Sequence, residues 1–219
     1  WTVLSVVGEA PEGSVYARVL LYMPPNVPNT YAYFDDVFFG EVQEEREVIL
    51  LPEENRAPGT FYVSPNGDDR NPGTFDAPWA SLAYASARAI PGDTILFFPG
   101  EYTGILKPVR SGTREAPIVF KSLERRKARL VGERGNAPAV HLSGVEHVHI
   151  EGFHIRPQSD QGRWLLIDHS RHIRIDDVLM EEARGDIPFT ITESEQIQVR
   201  DSVMRKFTGP SHNMVRVGN

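Results

Sequence analysis

GVEHVHIEGFHI from Gly144, HSRHIRIDDVLM from His169 and ESEQIQVRDSVM from Glu193 superimpose at a spacing of 24 to 25 residues. A fixed period of this length marks a chain that grows by stacking one small unit on the next. Within each copy the alternation is that of a strand. Val148/Ile150, Ile173/Ile175 and Ile197/Val199 point one way, and His147/His149, His172/Arg174 and Gln196/Gln198 the other. Equivalent residues are therefore expected to stack in columns.

A second set of strands keeps the same period about five residues upstream: AVHL from Ala139, LLID from Leu165, FTIT from Phe189 and MVRV from Met214. Its alternation turns Val140/Leu142, Leu165/Ile167, Phe189/Ile191 and Val215/Val217 inward and leaves His141, Leu166, Thr190 and Arg216 outward. Two dozen residues are too few for a strand, a full helix and two loops, but they suit three short strands joined by tight turns. The pattern predicts a parallel β-helix that rises about 4.8 Å per coil. A leucine-rich repeat has an overlapping period. Its fixed leucines and its Asn or Cys ladder do not occur here, and the Val and Ile bias of the inward positions favours strands on every side.

The chain has 219 residues, 40% of them apolar, and no apolar run long enough to span a membrane as a helix. It has no cysteine, which removes disulfides and thiolate chemistry without deciding the compartment. The net charge of −7 is uneven. Residues 1–60 carry ten acidic and three basic side chains, and the remainder carries twenty of each. Neither part offers the one-sided basic surface that nucleic acid requires. The chain opens on Trp1 without a signal segment, as expected of a processed or excised piece.

Residues 1–43 read as antiparallel strands, WTVLSVV, SVYARVLLYM and YAYFDDVFFGEV, separated by turn residues. Three strands make less than half a sandwich. Residues 44–59, EEREVILLPEENRAPG, are acidic and proline-bearing, as in a linker. Residues 60–219 then form the coil. A helix is expected from near Asp76, with Pro78 in its first turn and Trp79, Leu82, Ala83, Ser86 and Ile90 on one face, ending at Pro91–Gly92. Such a helix would cap the apolar end of a solenoid. From Ile95 onward there is room for about five coils, and the last would present open strand edges for further domains or chains to cover.

YVSPNGDDRNPGT, APWASL and PGDTILFFPGEY, followed by SGTREAPIVFKS and GVEHVHIEGFHI, together resemble the right-handed parallel β-helix proteins of the pectate-lyase-like superfamily over about 160 residues. The first strands, ending in YFDDV, resemble the close of jelly-roll carbohydrate-binding modules. There Asp36 matches an Asp that ligates a structural calcium. The resemblance implies a secreted or cell-surface protein that acts on polysaccharide, of lyase or epimerase type on an acidic polymer, with its catalytic coils past Asn219. A non-catalytic glycan-binding or structural solenoid and a glycoside hydrolase are the alternatives. In the lyases of this superfamily a base abstracts the proton next to a carboxylate neutralised by calcium or by cationic side chains. No catalytic motif of the superfamily can be carried over residue by residue.

The residues of this chain that suit sugar binding are the outward columns His147/His172/Gln196, His149/Arg174/Gln198 and Glu151/Asp176/Arg200. Of these, His147, His149, His172, Arg174, Asp176 and Arg200 are the substrate-binding candidates, set against an ordinary solvated strand face. Gly152/Asp177/Asp201 read as turn positions that tolerate unusual backbone angles. Asp168, His169, Asp176, Asp177, Glu181, Glu182 and Asp186 form a dense polar stretch that could gather with Glu193 or Asp201 into an acid/base pair or calcium site, or stay dispersed in loops. KSLERRKARL reads as a solvated loop, NGDDRNPG as a turn, and Trp164 as coil packing in preference to a sugar platform.

Overall fold

The structure, a computed structural model, describes residues 56–158, 162–183, 188–206 and 215–218. The chain separates into two compact units, Trp1–Leu50 and Leu51–Asn219, and every described residue belongs to the second. The sandwich strands, most of the linker, Asp36, Asp186 and His212 lie outside the described residues.

The described residues form an all-β parallel solenoid with one short helix. Its first sheet holds β1 (Thr60–Val63), β2 (Thr94–Phe97), β4 (Ile118–Ser122), β7 (Val148–Glu151), β10 (Arg174–Asp176) and β13 (Gln198–Arg200), in that spatial order. The second holds β3 (Gly100–Thr103), β5 (Ala128–Val131), β8 (His154–Arg156), β11 (Leu179–Glu181) and β14 (Val203–Arg205). The third holds β6 (Pro138–Ser143), β9 (Arg163–Asp168), β12 (Phe189–Thr192) and β15 (Val215–Gly218). All pairings are parallel, and from β6 onward each coil visits the third, first and second sheets in turn.

The interior is a set of aliphatic and aromatic columns. Ile95, Phe120, Ile150, Ile175 and Val199 are consecutive register partners in the first sheet. The first four of these are fully buried, and Val199, on the last described strand, is 37% exposed. Tyr102, Leu130, Ile155, Met180 and Met204 stack likewise in the second sheet, as do Val140, Leu165 and Phe189 in the third. Leu106 adds a single isolated bridge to Val140.

In the three coils that carry β7, β10 and β13, two-residue corners turn the first sheet into the second. At each corner the leading residue, Gly152, Asp177 or Asp201, has positive φ (72°, 53° and 50°), which Gly and Asp accept at low cost. Before β7, β10 and β13 a second left-handed position recurs, at His147, His172 and Gln196. These three therefore lie in the preceding turn and not in the strand, so the inferred shared strand face of His147 and His149 does not form. Serine closes the corner between the third and first sheets. The Ser170 hydroxyl donates to Asp168 O at 2.8 Å and accepts from Val145 N at 3.2 Å, and Ser194 Oγ accepts from Ser170 N at 3.0 Å.

The helix α1 is shorter and later than expected, Leu82–Arg88, with Ser81 as its N-cap. Ala77 precedes a proline and is biased to extended backbone, and Trp79 is drawn into a parallel bridge with Val63. Pro78 and Trp79 thus join the coil, where Trp79 is buried with its indole N–H on Asn71 O at 3.0 Å. Leu82, Ala85 and Ser86 form the buried face, and Ala83 points to solvent. NGDDRNPG is a turn: Asp69 Oδ1 accepts from Ala80 N and Ser81 N at 2.8 and 2.9 Å, which fixes the entry to α1.

Candidate functional site

Each sheet turns one face outward, and the three faces differ in chemistry. On the first sheet the ladder aligns His149, Arg174 and Gln198 in one row and Lys121, Glu151, Asp176 and Arg200 in the next. These are the columns expected of the repeat. Three cations here share two carboxylates. Arg200 Nε and Nη2 each donate to Asp176 at 2.9 Å, Arg174 Nη2 lies 3.1 Å from the same carboxylate, and Lys121 Nζ lies 2.8 Å from Glu151. Burial lowers the pKa of His149, and Arg174 lowers it further, so its imidazole is held neutral more firmly than an exposed one. In the turn before the strands, the rings of His147 and His172 stack with centroids 4.3 Å apart and planes 7° from parallel.

On the second sheet Glu181 is buried against His154 (3.0 Å) and Arg205 (2.8 Å). Burial works to raise this carboxyl, and Arg205, His154 and Lys206 together overcome it and hold it below its ordinary value. His154 is lowered by its own burial in spite of Glu181. Glu182 pairs with Lys206 at 3.0 Å and with Arg156 at 3.4 Å.

The third sheet carries a different group. His141 Nε2 lies 2.9 Å from Asp168 Oδ1, and the Ser143 hydroxyl donates to Asp168 Oδ2 at 2.9 Å. Beside it His169 Nε2 lies 2.7 Å from Glu193, in the turns of successive coils. Leu106 bridges Val140, so Lys107 falls in register beside His141; it is exposed and forms no ion pair among the described residues. Lys107, next after the bridging Leu106, and His141, next after Val140, therefore follow each other on adjacent coils, with the Lys107 backbone N–H donated to Ser86 Oγ at 3.1 Å. The periodicity left His141 outward but did not single it out. The equivalent placement of Ser143 and Asp168 on consecutive strands was the available signal, whereas Lys107 precedes the clear repeats and had none.

Of the dense polar stretch, His169 does meet Glu193 at 2.7 Å and Asp168 at 3.5 Å, while the other described members are dispersed over the three faces. Asp168 faces out from the third sheet, Asp176 from the first and Glu181 from the second, because each corner rotates the chain onto a new face. Asp177 is held by Arg125 through two 2.7 Å hydrogen bonds, and Arg126 reaches Asp177 O (3.2 Å) and Asp201 O (3.0 Å), two and three coils further on. The basic KSLERRKARL segment is thus a clasp along the coil. Among the described residues no three His, Asp or Glu side chains are placed to hold a metal ion. Trp164 is wholly buried, and its indole donates to Glu181 O at 3.0 Å.

No protein-family model matches the chain. It is 36% identical over 104 residues to the uncharacterized protein YwoF of Bacillus subtilis (strain 168), and 39% identical over 75 residues to the pectate lyase PEL9 of Emericella nidulans. These matches cover 45% and 33% of this chain and 22% and 18% of those proteins, so the chain spans about a fifth of the length of the curated relatives it matches. The crystal structure of the GH136 lacto-N-biosidase from Eubacterium ramulus superimposes with a TM-score of 0.57 at 17% identity, covering 68% of this chain and 34% of that one. That likeness is one of fold. Among the described residues no helix is long and apolar enough to cross a membrane.

Proposed function

We propose that this solenoid binds an acidic polysaccharide along the outward face of its third sheet, within a secreted or cell-surface protein of lyase or epimerase type. The observation that carries the reading is the placement of Lys107 beside the His141–Asp168 pair. Abstraction of a proton next to a sugar carboxylate needs a positioned base and a cation to offset the charge that develops on that carboxylate. His141, held at Nε2 by Asp168, leaves its other ring nitrogen for the proton, and the Lys107 ammonium is the unpaired cation within reach of the carboxylate. The local match to a pectate lyase supports the substrate class. In this reading the coil winds to the right, as parallel crossovers do, and α1 closes its apolar end. A calcium at Asp36 remains part of the proposal for residues 1–43 and enters no step of this chemistry.

The ion pairs of the first sheet favour a second reading, glycan binding without turnover, because Arg174 and Arg200 share Asp176 and Lys121 pairs with Glu151, which leaves one positive charge among three cations while their N–H groups still offer hydrogen bonds. Titration with polygalacturonate tests the third-sheet site. An acidic-polymer site binds polygalacturonate in a salt-dependent way, ignores a neutral glucan, and loses about tenfold or more in affinity with Lys107→Ala, as expected for one charge-assisted hydrogen bond. Equal affinity for the neutral polymer, or an unchanged Lys107→Ala variant, would contradict the reading.

A further inference from the structure

Among the described residues Phe75 is 56% exposed and Leu123 is 37% exposed, and both belong to one patch at the β1 end of the first sheet. Phe75 meets Tyr62 edge-on, with centroids 5.4 Å apart, and Phe98 at 5.1 Å; Tyr62 and Phe98 are 5.9 Å apart. Tyr62 pairs in register with Leu96, and Leu96 with Lys121. Leu123 N donates to Phe97 O, which sets Leu123 beside Phe98 on the outward side. Three rings and two leucines therefore lead directly into the Lys121–Glu151 pair, whose members are 42% and 41% exposed.

We propose that Tyr62, Phe75 and Phe98 form a stacking platform for a pyranose ring, with Lys121 and Glu151 supplying a donor and an acceptor to its hydroxyls. This would be a sugar position on the first sheet, separate from the third-sheet face, and it rests on the reading of the chain as a polysaccharide binder. A sugar ring has an apolar C–H face and a polar rim, and the patch has the same division: exposed ring surface on one side and a hydrogen-bonding ion pair one strand further along the coil. A protein partner fits less well. A stable interface takes roughly 800 Å² per partner around an apolar core, and here the apolar surface gives way within two strands to Lys121, Glu151, Asp176 and Arg200. The rings pack on one another edge-on, an arrangement that holds them in place before a ligand arrives. The mutual pairing of Lys121 and Glu151 leaves the position without net charge, so its occupancy should hardly respond to salt.

The test is calorimetric titration of the chain with oligogalacturonate at low and high salt, on the wild type, Phe75→Ala and Lys107→Ala, with circular dichroism to verify folding. Phe75 is largely exposed, so its removal leaves the core intact. The platform predicts about a five- to tenfold loss of affinity for Phe75→Ala at either salt concentration, and saturation-transfer signals from sugar C–H protons that weaken in the same variant. Loss for Lys107→Ala with none for Phe75→Ala would overturn the platform and leave the third-sheet reading standing. The reverse result would support the platform and remove the other. No binding by the wild type would sink both. Sedimentation showing self-association that Phe75→Ala abolishes would assign the patch to contact between copies and overturn the proposal.

Discussion

Ser170 shows how one small side chain holds a corner of the coil. It is 1% exposed, donates to Leu142 O and Asp168 O, and accepts from Val145 N across adjacent coils. Ser170→Ala strands the buried Val145 N–H and should cost about 1–3 kcal/mol, read as a lower urea midpoint at unchanged slope; an unchanged midpoint would show that water replaces the hydroxyl. Asp93, also fully buried, plays a comparable part at the entry to β2. It accepts from Arg56 Nη1 at 2.8 Å, Gly59 N at 3.0 Å and Ile90 N at 2.9 Å. Neither role was legible in the sequence. HSR and PGD announce turns through their residue types, but the partners of a buried hydroxyl or carboxylate come from other coils and depend on register. The His141–Asp168 contact was hidden in the same way: alternation turned His141 outward, and only the ladder brings Asp168 beside it.

Strands were the most legible elements, because two alternating runs repeated with one period specify both which residues point inward and which stack. Corners were half legible. Gly152, Asp177 and Asp201 fit left-handed turns by their residue types, whereas histidine at 147 and 172 concealed a second left-handed position inside an apparent strand. The helix boundary failed because Pro78 and Trp79 fit a first helical turn, while the bridge to Val63 claimed them for the coil. The outward faces carry a pH dependence of their own. His149 on the first sheet and His154 on the second both have folded-state pKa values lowered mainly by burial. The unfolded chain then binds more protons than the folded one below the ordinary histidine value of about 6.5, so stability falls as pH drops through that value towards the lowered ones. Urea midpoints should decline between about pH 7.5 and 5.5, and a His149→Gln, His154→Gln double variant should flatten the decline. A double variant with the slope of the wild type would place the titration elsewhere.

At the scale of the solenoid, what matters is that from β6 onward one lap of chain adds one strand to each of three sheets, so residues two dozen positions apart become neighbours. The His141–Asp168 face, the aromatic cluster of Tyr62, Phe75 and Phe98, the arginine clasp over Asp177 and Asp201 and the serine corners all depend on that register. The absence of cysteine makes it directly measurable. Register partners in adjacent parallel strands lie about 4.8 Å apart, within the span a disulfide bridges, while diagonal positions lie beyond easy closure. Cysteines introduced pairwise as His149→Cys with Arg174→Cys, and as Arg174→Cys with Gln198→Cys, should oxidise to intramolecular disulfides detectable by peptide mass mapping. His149→Cys with Asp176→Cys should remain reduced. Ready closure of the diagonal pair, with failure of the two in-register pairs, would contradict the coil.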